Sequence, residues 1–132
     1  MNKLINGMDH VCLKCSDMEE YDKVNKFYGE VLGLPVRRTW GTEAEPAVMF
    51  ELGNSGIEVF CDAESTLDQG AVRHFALATD DVDACVKAVA EAGYDITRGP
   101  EDLVINSNPE VPVRIAFCIG PVGEEIEFFQ EK

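Results

Sequence analysis

Two stretches decide the fold: His10–Asp17, HVCLKCSD, and His74–Asp81, HFALATDD. His10, Leu13 and Asp17 stand at the same spacing as His74, Leu77 and Asp81. Each stretch opens on alternating apolar and less apolar residues, the period of a half-buried strand, which predicts strands over His10–Cys15 and Val72–Thr79. Each then reaches an Asp suited to capping a helix. After Asp17, with Glu19 and Glu20 in the first turn, the residues Val24, Phe27, Tyr28, Val31 and Leu32 form one helical stripe within Tyr21–Leu32. Gly33 and Pro35 supply the stop. After Asp80 or Asp81, the residues Val82, Cys85, Val86 and Val89 make the apolar face of a second helix running to Ala92 and closed by Gly93.

Strands follow each helix. In the first half they are expected at Val36–Trp40, Ala47–Leu52 and Gly56–Cys61. In the second half they are expected at Tyr94–Arg98, Val111–Ile119 and Glu124–Gln130, with a short one at Leu103–Asn106. Ile57-Glu58-Val59-Phe60 closes the first half as Ile126-Glu127-Phe128-Phe129 closes the second. Between the halves, Ala63–Gly70 (AESTLDQG) is polar and patternless, the mark of a linker. The reading is α+β: one domain over 1–132, made of two βαβββ modules at 5–62 and 71–131 joined by a linker at 63–70.

Composition sets the boundaries of function. The 132 residues hold 25 Asp and Glu against 11 Lys and Arg, a net charge of −14, which repels phosphate backbones and argues against nucleic acid. At 45% hydrophobic residues with regular patterning, the chain is not a disordered acidic segment. No run approaches the roughly 18 apolar residues of a membrane span, and Met1–His10 lacks a secretory apolar core. The five cysteines, Cys12, Cys15, Cys61, Cys85 and Cys118, are an odd number, so reduced thiols and a cytoplasmic location are expected. Cys12 and Cys15 spell C-x-x-C, but on a strand they point to opposite faces, and no second such pair completes a zinc site.

The only two His, His10 and His74, occupy equivalent positions of the repeat, and so do Glu58 and Glu127. Strand alternation puts His10, Cys12 and Lys14 on one face and Val11 and Leu13 on the other. It groups Glu58 with Phe60, and Glu127 with Phe129, against fully apolar neighbours that would pack under the helices. A Glu among bulky apolar residues is costly unless paired or coordinated. Two imidazoles and two carboxylates suit a borderline divalent ion such as Ni, Zn, Co, Fe or Mn. Alone, each His or Glu is an ordinary strand residue; the joint placement favours a shared site. Trp40, Phe60, Phe129, Cys12 and Lys14 are further candidates to line a substrate cavity. Arg37, Arg38, Arg98 and Arg114 could offset the acidity near an anionic substrate.

These motifs resemble the glyoxalase I/bleomycin-resistance family, the vicinal-oxygen-chelate superfamily. The resemblance rests on His10-x-x-Leu13 with Asp17, Phe27-Tyr28-Gly29-Glu30-Val31-Leu32-Gly33-Leu34, Ile57-Glu58, His74-Phe75-Ala76-Leu77 with Asp80-Asp81, and Ile115-Ala116-Phe117 leading to Ile126-Glu127. It implies paired modules curling as a curved mixed sheet, an open barrel, around a metal cavity. His10, Glu58, His74 and Glu127 map onto the family's ligands. It further implies a homodimer whose metal sites each take one His–Glu pair from each chain, and a lactoylglutathione-lyase-like proton transfer next to a carbonyl of a small oxygenated substrate. Glu127 would be the base, with Glu58 the second candidate. Two departures stand out. Gly120-Pro121-Val122-Gly123 replaces the family's frequent D-P-x-G, and Lys14 stands where bacterial glyoxalases tend to carry an Arg for the glutathione carboxylate. A Lys lacks the bidentate fork, which argues against glutathione or another thiol as carrier. Alternatives within the family are an epimerase, a dioxygenase, or a non-enzymatic protein that binds a drug or aromatic ligand.

Overall fold

A computed structural model describes residue 4 and residues 7–132. Residues 5 and 6, expected as the start of the first module, lie outside the described residues. The chain divides into two compact units, Met1–Leu67 and Asp68–Lys132, so the division falls inside the 63–70 stretch.

The first unit runs β1 (His10–Cys15), α1 (Met18–Asn25), a π-helical segment (Lys26–Val31), β2 (Val36–Gly41), β3 (Pro46–Glu51) and β4 (Gly56–Cys61). Its sheet has the order β1-β4-β3-β2, with β1 parallel to β4 and the other pairs antiparallel. The second unit runs β5 (Phe75–Ala78), α2 (Val82–Glu91), β6 (Ile96–Ile105), β7 (Val111–Ile119) and β8 (Glu125–Glu131), in the corresponding order β5-β8-β7-β6. Each unit is thus a βαβββ module, as the repeat in the sequence predicts.

Both caps form. The Asp17 carboxylate accepts from the Glu20 amide at 2.8 Å, and the Asp81 carboxylate from the Ala84 amide at 3.0 Å. Gly33 and Gly93, at φ of 73° and 93°, close the two helical segments. The first helix is not uniformly α-helical, however. From Lys26 the turn widens, and the Leu32 amide donates to Phe27 O, five residues back, at 2.9 Å. In a regular α-helix the adjacent Phe27 and Tyr28 would diverge by about 100°. The wider turn buries both rings completely.

Two strand boundaries differ from the sequence reading. Only Phe75–Ala78 of the expected Val72–Thr79 strand forms, because β5 is an edge strand whose one partner, β8, begins at Glu125 after the turn at 121–123. Val72 is left 76% exposed, and His74 lies just before the strand. Conversely, the strands expected at Tyr94–Arg98 and Leu103–Asn106 are one strand, β6. Its register against β7 shifts between Arg98 and Glu101, where Pro100 has no amide to give the ladder, and the bulge carries the strand through.

In the first unit, Val11, Leu13, Val48, Phe50, Ile57 and Val59 share the face that packs against the helical segment. In the second, Ile126, Phe128, Ala116 and Cys118 do the same under α2. An ionic clamp holds α2 to its sheet. Arg114 on β7 donates to both carboxylate oxygens of Asp83, at 3.1 and 2.8 Å, and lies 3.2 Å from Asp102, which also meets Lys132 at 2.8 Å. The Arg114 bond holds the Asp83 carboxyl below its ordinary 3.8, and the Lys132 bond does the same for Asp102. Lowered carboxyl values add stability above the ordinary value, and that stability is lost as pH falls through the lowered ones. An Arg114→Gln variant is therefore expected to lower the melting temperature modestly at neutral pH, with the difference from wild type closing below about pH 4, which flattens the acid limb. An unchanged acid limb would count against the clamp.

Candidate metal centre

The register of each sheet brings one His and one Glu together across strands. In the first unit Glu58 on β4 stands opposite Cys12, and His10, two residues earlier on β1, reaches it diagonally. In the second, Glu127 on β8 stands opposite Ala76, and His74 is again two residues earlier. The outcome is the same separation in both units. His10 Nε2 lies 3.4 Å from Glu58 Oε1, and His74 Nε2 lies 3.4 Å from Glu127 Oε1. The His side chains are 36% and 41% exposed and the Glu side chains 14% and 12%, so the carboxylates are mostly covered while the imidazoles reach solvent.

The lengths between these residues do not match, yet the geometry does. His10 to Glu58 is 48 positions and His74 to Glu127 is 53. The first module has four more residues between its cap and its closing Gly, 16 from Asp17 to Gly33 against 12 from Asp81 to Gly93. The second has nine more from that Gly to its Glu, 34 from Gly93 to Glu127 against 25 from Gly33 to Glu58. The longer β6–β7 hairpin takes up the difference without moving the parallel pair that sets the site.

The donors suit a divalent ion. Two ligands each about 2.1 Å from a common ion stand about 3.0–3.4 Å apart at octahedral or tetrahedral angles, the spacing of each His–Glu pair. The bond from His10 Nδ1 to Asp9 Oδ1, 2.8 Å long, leaves Nε2 free to point at Glu58. A carboxylate on the far nitrogen of a metal-binding imidazole fixes its tautomer and raises its basicity. That bond also lowers the Asp9 carboxyl pKa. Asp9 is thus a further member of the site, marked in the sequence only by its place next to His10. His74 follows Arg73 instead, and its ring stands edge-on to Phe117 at 5.4 Å. Among the described residues, no three His, Cys, Asp or Glu side chains gather as a metal-holding group; within each unit the donors come as a pair.

The softer candidates have definite places. Cys12 stands beside Glu58, and burial, then the Glu58 charge, push its thiol up, which keeps it protonated. Cys15, three residues on, is buried on the opposite face, where burial and Cys61 push it up to about 12. All five cysteines are free thiols. Lys14 pairs with Asp62 at 3.1 Å and lies 5.8 Å over the Phe60 ring. Trp40 meets Phe60 edge to face at 5.6 Å. Phe129 is half-buried on the face of Glu127, between Ala78 and Ile115. Gly56, the partner of His10, gives Met49 its place, since a Cβ there would stand 2.7 Å from the Met49 sulfur.

Two βαβββ modules, each presenting a His–Glu donor pair at the same register, define a protein of the glyoxalase type. The sequence pattern of the Glyoxalase/Bleomycin resistance protein/Dioxygenase superfamily matches residues 7–128, and the chain belongs to that superfamily. It is similar to a lactoylglutathione lyase of Haemophilus influenzae, 31% identical over 93% of this chain and 91% of the relative. Among solved structures, the fosfomycin resistance protein FosX of Listeria monocytogenes superposes with a TM-score of 0.74 at 14% identity, covering 98% of this chain and 96% of the other. TnmS3, an antibiotic binding protein from Streptomyces sp. CB03234, gives 0.72 at 22% identity, covering 99% and 100%. These two likenesses concern the fold. No helix among the described residues is long and apolar enough to cross a membrane.

Proposed function

We propose that this protein is a divalent-metal-dependent lyase of the lactoylglutathione-lyase type, acting on a small substrate with an oxygen next to its carbonyl. The observation that carries the reading is the duplicated His–Glu pair, 3.4 Å apart in both units at the same register. The name of the Haemophilus influenzae relative supports the reaction class. His10, Glu58, His74 and Glu127 would hold the ion, as two pairs contributed by a homodimer. The ion would polarise the vicinal oxygens of the substrate and stabilise the charge that develops on them. Asp9 keeps the proton of His10 on Nδ1. Glu127 takes the proton from the carbon next to the carbonyl and returns it to the neighbouring carbon, with Glu58 the second candidate for that role. The covered setting of both carboxylates limits competition from water.

Protein purified without chelator is expected to carry a divalent ion and to isomerise a small α-hydroxy carbonyl compound, with hemithioacetals of methylglyoxal and several thiols included to test whether a thiol carrier is used. Chelation should abolish turnover, and adding back Ni or Zn should restore it. His10→Ala should lose most of both metal and turnover. Metal-free protein, with His10→Ala leaving any turnover intact, would sink the reading.

A further inference from the structure

We propose that Arg38 is the receptor for an ionised carboxylate on the substrate, held ready by an aromatic shelf beside the His10–Glu58 pair. The proposal rests on the reading above, in which that pair marks where the reacting carbonyl binds. Arg38 on β2 is in register with Met49 on β3, and Met49 with Glu58 on β4. Two strand spacings of about 4.8 Å put the Arg38 backbone about 10 Å from that of Glu58. The next row on the same face is Trp40, Ala47, Phe60 and Lys14. Because the residue between them is only an Ala, the Trp40 and Phe60 rings meet across β3. The Arg38 guanidinium lies 5.5 Å from the Trp40 ring, a contact that orients it without neutralising its charge.

Among the cations on the described strands of the first sheet, Arg38 is the one without an ion pair; Arg73, in the other unit, also has none and donates to the Gly70 carbonyl. In a chain with 25 acids and 11 bases, cations find carboxylates readily. Arg37, the extra residue of the β2 bulge, makes two bonds to Glu51, at 3.0 and 2.9 Å. Arg98 pairs with Glu101, and Arg114 with Asp83 and Asp102. Lys14, the other cation on the shelf, pairs with Asp62. Among the described residues Arg38 alone of these five makes no ion pair, although its charge is felt at Asp9, and residues 1–3, 5 and 6 include no Asp or Glu. Its fork of donors suits a carboxylate. The half-buried Trp40 and Phe60 offer apolar cover to the part of the molecule between the charge and the reacting end. The ligand class is therefore a small conjugate with an apolar middle and an ionised carboxylate at the end remote from its reactive oxygens.

The test uses the full chain and two probes that differ in one charge, S-hexyl-N-acetylcysteine and its methyl ester. Binding is read by calorimetry and by the fluorescence of Trp40, the only Trp. The wild type is expected to bind the acid about tenfold more tightly than the ester. Arg38→Gln should bring the acid to the level of the ester, and Arg38→Lys should keep part of the preference. Equal affinities in the wild type, no binding of the acid, or an unchanged preference in Arg38→Gln would overturn the assignment. Metal-dependent turnover is measured separately. Turnover without an acid preference defeats the shelf alone, whereas an acid preference without turnover defeats the reading of the metal centre alone.

Discussion

Glu127→Gln is expected to lower kcat by about a thousandfold, inside the range for removing a positioned general base. Gln keeps the shape of the side chain and removes its charge and its capacity to hold a proton. Glu127 is well placed for the base role, being 12% exposed and 3.4 Å from His74 Nε2. Glu58 has the same relation to His10, so geometry alone does not separate the two carboxylates. The matched variant Glu58→Gln is expected to weaken metal retention with a smaller loss of kcat once metal is restored. The measurement is kcat at saturating metal, with metal content determined on the same samples. A loss larger in Glu58→Gln than in Glu127→Gln would transfer the base role to Glu58.

Phe50→Ala is expected to destabilise the protein by about 3–5 kcal/mol, the usual cost of emptying a buried aromatic site. Phe50 is 1% exposed in β3, where Ala47, Val48 and Met49 are buried as well. Its strand lies between β2 and β4, its backbone register partners are Val36 and Ile57, and its ring faces Tyr28 at a centroid distance of 5.9 Å. Gly29 lies against the ring edge, where a Cβ would stand 3.5 Å away. Domains of this kind are stable by only about 5–15 kcal/mol, so the loss should move the urea midpoint far down. Phe50→Leu, which keeps most of the volume, should cost less than about 1.5 kcal/mol. A shift in Phe50→Ala below that of Phe50→Leu would mean that this ring does not anchor the core.

The helix ends and the alternating faces were legible because they depend on neighbours in the chain. A cap needs an Asp three residues before an amide, and Asp17 and Asp81 both provide one. The face of Glu58 and Phe60 and the face of Ile57 and Val59 follow from a two-residue period, and their burial differs accordingly. The Val72–His74 segment has the composition of a strand, but among the described residues no partner strand pairs with it. The widened turn at Lys26–Val31 was missed because a stripe at three- and four-residue steps fits an α-helix equally well.

The sequence by itself determined the two βαβββ modules, the face on which each His and Glu lies, and membership of a superfamily. Those properties come from local periodicity, capping and a repeated pattern, all written along the chain. Only the tertiary structure decided that each His meets its Glu diagonally at 3.4 Å despite unequal separations of 48 and 53 positions. It also decided that Asp9 bonds to His10, and that of Arg37, Arg38, Arg98 and Arg114 it is Arg38 that makes no ion pair among the described residues. The reason is register: which residues of distant strands face one another depends on how bulges and hairpins take up length, and only the assembled sheet sets that.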